Sequence, residues 1–251
     1  MITQPGILNS CIITIDIDWA PDFAIDKMAA VLIEKNVKAT WFVTHDSPAI
    51  DRLKSRNDLF ELGVHPNFLP NSTQGKTVKE VMDFCFNITP AAVSMRTHTL
   101  LQSGGLYWEI VENYPIKIDT SILLRENDNI QPHTIFYGNE KNKLIRVPFF
   151  WEDDVESYNP GKIWSIDHLA LGADGIKIFN FHPMYFLLNI DTMDDYEALK
   201  KLKHLYQLTD EDVSAYINRG RGAGTVFDEI TSHIQKTQNQ SFFMKDFISH
   251  G

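Results

Sequence analysis

The stretch IITIDIDW, residues 12–19, sets two aspartates into a run that otherwise reads as a buried strand. A buried carboxylate is costly unless it is ion-paired, hydrogen-bonded or bound to a cation. Side chains two positions apart in a strand share a face. Asp16 and Asp18 are therefore expected to project together, unless a bulge at Ile17 re-aims one of them.

Working outward, strand and helix patterns alternate. After the first strand, DFAIDKMAAVLIEKN (22–36) places Ile25, Met28, Ala29, Leu32 and Ile33 on one helical stripe. Further strands are expected at VKATWFVT (37–44), LFELGVH (59–65), AAVSMR (91–96), IKIDTS (116–121) and GIKIFNFH (175–182). Helices are expected at 47–55, 76–88, 104–113 and, as a short one, at SIDHLAL (165–171). HTIFY (133–137) and KLIRVPFFW (143–151) flank GNEKN (138–142), which reads as a hairpin turn. From about residue 190 the pattern is mostly helical, over 194–206, 209–219 and 225–237. With no repeat and no linker, residues 1–251 read as one α/β domain with a mainly parallel sheet, open or closed into a barrel.

The net charge of −10 argues against a nucleic-acid binder, which needs a basic stripe. No run reaches the roughly 18 apolar residues of a membrane span, and MITQPGILNS has no leader pattern, so a soluble cytoplasmic protein is expected. Cys11 and Cys85 have no metal-type spacing and read as reduced core thiols. Asp16, Asp18, His65, Arg96 and His182 all fall at or just past the carboxyl ends of expected strands, the edge where α/β folds build sites. His133, His168, His204, His233 and His250 carry no functional reading.

Taken together, TIDIDW (14–19), ATWFV (39–43), ELGVH (61–65), SMRTH (94–98), DTS (119–121), FNFHP (179–183) and GRGAGTVFDEI (220–230) resemble the polysaccharide deacetylases, the NodB-homology domain of carbohydrate esterase family 4. The likeness is nearest to the WbmS-like branch, linked to surface-glycan biosynthesis. It implies a distorted (β/α)7-type barrel and a metal-dependent hydrolase that removes an N-acetyl or N-formyl group from an amino sugar. The implied substrate is a saccharide of a lipopolysaccharide or capsule precursor, lipid- or nucleotide-linked. The implied roles are Asp16 as general base, Arg96 as its partner, His182 as general acid, and Asp18 and His65 as ligands of one divalent ion, zinc first, with cobalt, nickel or manganese as alternatives. A backbone N–H near residues 97–99 would help hold the oxyanion.

The family's second motif carries two histidines four residues apart, but HPNFL (65–69) puts Leu69 where the second belongs. His98 is the candidate replacement, with Asn67, His45 and Asp46 behind it. Alternatives stay open. The aspartates can be structural partners of Arg96, and His65, His98 and His182 can be core or surface histidines. Trp151, Asp153 and Asp154 can line a sugar cleft or simply pack at a strand end. RGRGAG (219–224) can hold a phosphate or merely connect helices. Two other functions compete: a deacetylase-like domain that binds sugar without turnover, and a nucleotide-sugar glycosyltransferase using Asp16-Ile17-Asp18 as an Asp-x-Asp motif.

Overall fold

The computed structural model describes residues 6–139, 141–237 and 241–248; the first five residues, Glu140 of the expected hairpin turn and His250 lie outside them. The first half alternates strictly: β1 (Cys11–Asp16), α1 (Asp22–Lys35), β2 (Ala39–Val43), α2 (Pro48–Lys54), β3 (Phe60–Val64), α3 (Val78–Ile88), β4 (Ser94–Met95), α4 (Gly104–Asn113) and β5 (Ile118–Asp119). Local chemistry marks the boundaries. Asn36, in the left-handed region at φ 53°, ends α1 by donating its amide to the Leu32 and Ile33 carbonyls. Thr77 and Glu80 form a reciprocal capping box at the start of α3. All five residues of β2 are buried, as expected for a parallel strand covered on both faces.

The second half adds β6 (His133–Phe136), β7 (Lys143–Arg146), β8 (Trp151–Glu152), α5 (Asp153–Tyr158), β9 (Lys177–Phe181), α6 (Pro183–Leu188), α7 (Asp194–Leu202), α8 (Asp210–Ser214) and α9 (Ala223–Lys236). The sheet order is β6-β7-β5-β4-β3-β2-β1-β9-β8, parallel throughout except for the β6–β7 hairpin.

One stretch of chain closes this sheet into a ring. Ile145 in β7 lies opposite Ile118 in β5, while Trp151 in β8 lies opposite Phe179 in β9. Between them Val147 donates to Asp119 O at 2.9 Å, Phe149 to Ile122 O at 2.8 Å and Phe150 to Ile178 O at 2.8 Å. Residues 143–152 therefore leave β5 and join β9, and the β7–β8 stretch with β1–β5 and β9 makes a distorted barrel with β6 as an outer hairpin strand. The expected single strand over 143–151 is interrupted at Pro148, which has no N–H to give a ladder, and the first bond to β9 comes from Phe150, two residues on.

One other expectation fails, and two helices were not foreseen. Residues 165–171 form turns, not a helix, because side chains from elsewhere satisfy this backbone: Arg221 Nε donates to Trp164 O at 2.6 Å and the Ile166 amide donates to Glu229 at 3.1 Å. Conversely, α5 and α6 were not legible as helices; α6 opens with Pro183 at its first position, directly after His182.

The amino end of the barrel is plugged from both directions. Ile7, Phe242, Met244 and Phe247 join Ile12, Phe42, Ile118 and Ile178 in one buried cluster. The Met244 amide donates to Thr40 Oγ1 at 3.0 Å and the Lys245 amide to the buried Glu61 carboxylate at 2.9 Å. The carboxyl end is left for the polar groups.

Candidate active site

β1 stops at Asp16. Ile17 still donates its amide to Phe42 O at 3.1 Å and buries its side chain in the core. Asp18 and Trp19 then adopt left-handed backbone, φ 43° and 55°. The two aspartates thus do not share a strand face, contrary to the alternation argument: a turn, not the pleat, returns Asp18 to the site. Such conformations are tolerated by aspartate but strained for tryptophan.

That turn builds a triangle of donor atoms. Asp18 Oδ1 lies 3.2 Å from His65 Nε2 and 3.2 Å from His98 Nδ1, and the two histidine nitrogens are 3.2 Å apart. Ligands of a tetrahedral zinc at 2.0–2.1 Å are spaced by about 3.3 Å, so the triangle fits one coordination face. Asp18 Oδ1 is buried without a hydrogen bond of sound geometry, an orphan that a cation would satisfy. Burial raises the Asp18 carboxyl, yet the two imidazoles outweigh it and hold the group well below the carboxylate range. His65 directly follows β3; His98 follows β4, its amide anchored on Pro66 O at 3.0 Å and its ring edge-on to Trp19. Among the described residues, neither His45 nor Asp46 belongs to a group of His, Cys, Asp and Glu side chains that could hold a metal. His45 and Asp46 line a separate hollow of about 690 Å³, and Asn67 Oδ1 caps the Leu69 amide at 3.0 Å.

Beside the triangle, Asp16 is gripped at both oxygens. Arg96 Nη1 donates to Oδ1 at 3.0 Å and Asn180 Nδ2 to Oδ2 at 2.9 Å. Arg96 is fully buried between the rings of Phe42 and Phe149, with Nε on Thr120 O at 3.1 Å and Nη2 on Thr14 Oγ1 at 3.0 Å. Burial pulls the Asp16 carboxyl up, but Arg96, His65 and His182 together hold it below its ordinary value. Asn180 Nδ2 also reaches Glu152 Oε1 at 2.9 Å, and burial, with Asp16 nearby, pushes Glu152 up to about 7.

His182 lies at the end of β9. Its Nδ1 is 2.7 Å from Asp153 Oδ1, and its amide donates to Asp153 Oδ2 at 2.9 Å, leaving Nε2 facing Asp18 Oδ2 at 3.6 Å. Burial lowers the imidazolium, but Asp153 outweighs it and raises it well above the usual histidine value. Asp154, Trp19, Tyr158, Tyr185 and Tyr196 line a cleft of about 380 Å³ that opens onto Asp18 and His98.

Sequence reasoning missed Glu152 and Asn180, although an asparagine inside KIFNF was a signal of the same kind as the aspartates in β1. The backbone amides expected near 97–99 are partly spent: Thr97 donates to Ser121 Oγ at 2.9 Å and His98 to Pro66 O. RGRGAG is a connector. Arg221 pairs with Glu229, and a Cβ at Gly222 would meet Asn189 O at 2.1 Å, so only glycine lets the chain pass there.

A family model described as WbmS-like polysaccharide deacetylase matches residues 13–200. A solved structure from Bordetella bronchiseptica, described as a polysaccharide deacetylase involved in O-antigen biosynthesis, is 29% identical, with TM-score 0.77 over 92% of this chain and 93% of that one. The T48 deacetylase with substrate (13% identity, TM-score 0.51, 99% and 94% covered) shares the fold. So does a peptidoglycan N-acetylglucosamine deacetylase solved in complex with an N-oxidanyl-benzamide (12%, 0.50, 99% and 92%). A comparison with curated proteins returns no match. With the closed ring of strands, and a family match running from β1 into α7, the chain belongs to the WbmS-like polysaccharide deacetylase family.

Proposed function

We propose that this protein is a divalent-metal-dependent hydrolase that removes an N-acetyl or N-formyl group from an amino sugar of a surface-glycan precursor. The observation that carries the reading is the 3.2 Å triangle of Asp18, His65 and His98 set beside Asp16 and His182. The triangle would hold the ion, with zinc favoured by its two imidazoles and one carboxylate. A bound ion there supplies water activation and Lewis acidity at the amide carbonyl.

The chain's own groups do the proton work. Asp16 takes a proton from the attacking water, its carboxylate oriented by Arg96 and Asn180. His182, held cationic by Asp153, gives its Nε2 proton to the departing amine. Water adds to the carbonyl, the C–N bond breaks, and a free amino sugar and a carboxylate leave. Trp19, Tyr158, Tyr185 and Tyr196 line the cleft that would take a saccharide, lipid- or nucleotide-linked. The O-antigen connection described for the Bordetella relative supports a surface glycan as the target.

The non-catalytic reading rested on Leu69, and His98 supplies a third donor without it. The glycosyltransferase reading needs Asp16 and Asp18 on one ion, but a guanidinium sits 3.0 Å from Asp16 Oδ1. The test is acetate or formate release from N-acylated amino sugars by chelator-stripped and zinc-reloaded protein. Reloading should restore turnover, and Asp16→Asn should keep the metal while losing turnover. Full activity in Asp16→Asn, or in the stripped protein, contradicts the assignment.

A further inference from the structure

We propose that Asn180 is a positioning residue for Asp16, and that Glu152 holds the Asn180 amide in the orientation this requires. The inference rests on the hydrolase reading and adds to it two residues that lie outside the metal triangle and its acid–base pair.

The Asn180 side chain is held at both ends. Its Oδ1 accepts from Arg96 Nη1, and Thr14 Oγ1 lies 3.2 Å away, its one proton shared between Asn180 Oδ1 and Phe179 O at 3.1 Å. Its Nδ2 donates at 2.9 Å to Asp16 Oδ2 and at 2.9 Å to Glu152 Oε1. The polarity of these partners permits one orientation. A guanidinium can only donate, and an ionised carboxylate can only accept. A flipped amide would set its oxygen against the Asp16 carboxylate and its NH₂ against Arg96. Glu152 is buried, and in either protonation state its Oε1 can accept. Take away that acceptor and one of the two forces holding the NH₂ toward Asp16 is gone.

The consequence falls on Asp16. Arg96 on Oδ1 and Asn180 on Oδ2 fix the rotation of the carboxylate about its Cβ–Cγ bond. A base must meet its water within a narrow range of distance and angle, and displacement by about 1 Å costs on the order of 100-fold in rate. Arg96 alone leaves the plane free to turn about one contact.

The test separates positioning from mere structural support by pairing a single with a double replacement. Asn180→Leu leaves Glu152 and Asp16 Oδ2 without a donor, so it should lower both Tm and kcat. Replacing Asn180 and Glu152 together by leucine removes one of the two stranded carboxylates and should recover part of the lost Tm. The expected result is a kcat about 100-fold below wild type in both variants, with KM and zinc content unchanged. Recovery of kcat together with Tm in the double variant overturns the proposal, as does an unchanged kcat in Asn180→Leu. Crystal structures of wild type and the double variant read the same point without turnover. The Asp16 carboxylate should rotate while Asp18, His65 and His98 stay in place, and an unrotated carboxylate refutes the inference whatever the activity. A zinc-loaded wild type without turnover would count against the hydrolase reading, while the carboxylate rotation would still decide this one.

Discussion

Asp153 Oδ1 sits 2.7 Å from His182 Nδ1, and the same carboxylate accepts the His182 backbone amide through Oδ2 at 2.9 Å. The two residues are 29 apart in sequence, yet they face each other because β8 pairs with β9 and α5 begins where β8 ends. Two contacts from one side chain keep a proton on Nδ1 and fix the ring's direction, so in the cation the second proton, on Nε2, faces the cleft.

Asp153→Asn is therefore expected to lower kcat by about 10²–10⁴-fold. It should also move the alkaline limb of the pH–rate profile downward. The sign follows from the role: a general acid works while protonated, and Asp153 is what raises His182 above the usual histidine range. Without that carboxylate His182 loses its proton at lower pH. A kcat/KM profile whose alkaline limb does not move would contradict the assignment.

Glu152 should leave a mark on stability in the metal-free protein. Its ordinary value is 4.5 and burial pushes it up to about 7, so between those limits the folded chain binds the extra proton. Stability from this group is then present below the unfolded value and falls as pH rises through the window. The loss is on the order of 1–3 kcal/mol. Urea titrations at several pH values should show a flatter decline for Glu152→Gln. An identical slope would mean that Glu152 is not the group titrating there.

The plug at the amino end makes a separate prediction. Met244 is fully buried and its amide is tied to Thr40. Met244→Ala should destabilise by about 2–5 kcal/mol through the cavity it leaves, visible as a lower Tm, while zinc stoichiometry stays the same. Loss of metal at full stability would show that plug and site are coupled in a way these contacts do not explain.

What the sequence disclosed follows from what physical pattern can carry. Polar residues at the ends of apolar runs pointed to Asp16, His65, Arg96 and His182, because such runs seldom keep an unpartnered charge. His98 came from a gap, the leucine at position 69, and the structure places it 3.2 Å from both Asp18 and His65. For Asp18 strand alternation fails, because it does not foresee a left-handed turn after Ile17; the resemblance names the residue on other grounds. Glu152 and Asn180 were missed because their meaning is pairwise. Each looks ordinary until β8 and β9 are laid side by side, and that pairing depends on the chain turning to β9 beyond Pro148.

The most direct measurement is a calorimetric zinc titration of chelator-stripped protein, wild type against His98→Ala, with thermal melts to confirm that both are folded. The account predicts one ion per chain in wild type and, for loss of a direct ligand, binding weaker in the variant by more than the roughly 10–100-fold that loss of an outer-shell partner costs. Equal affinity in the two proteins, or no stoichiometric binding in wild type, would contradict the triangle of Asp18, His65 and His98 as the metal centre.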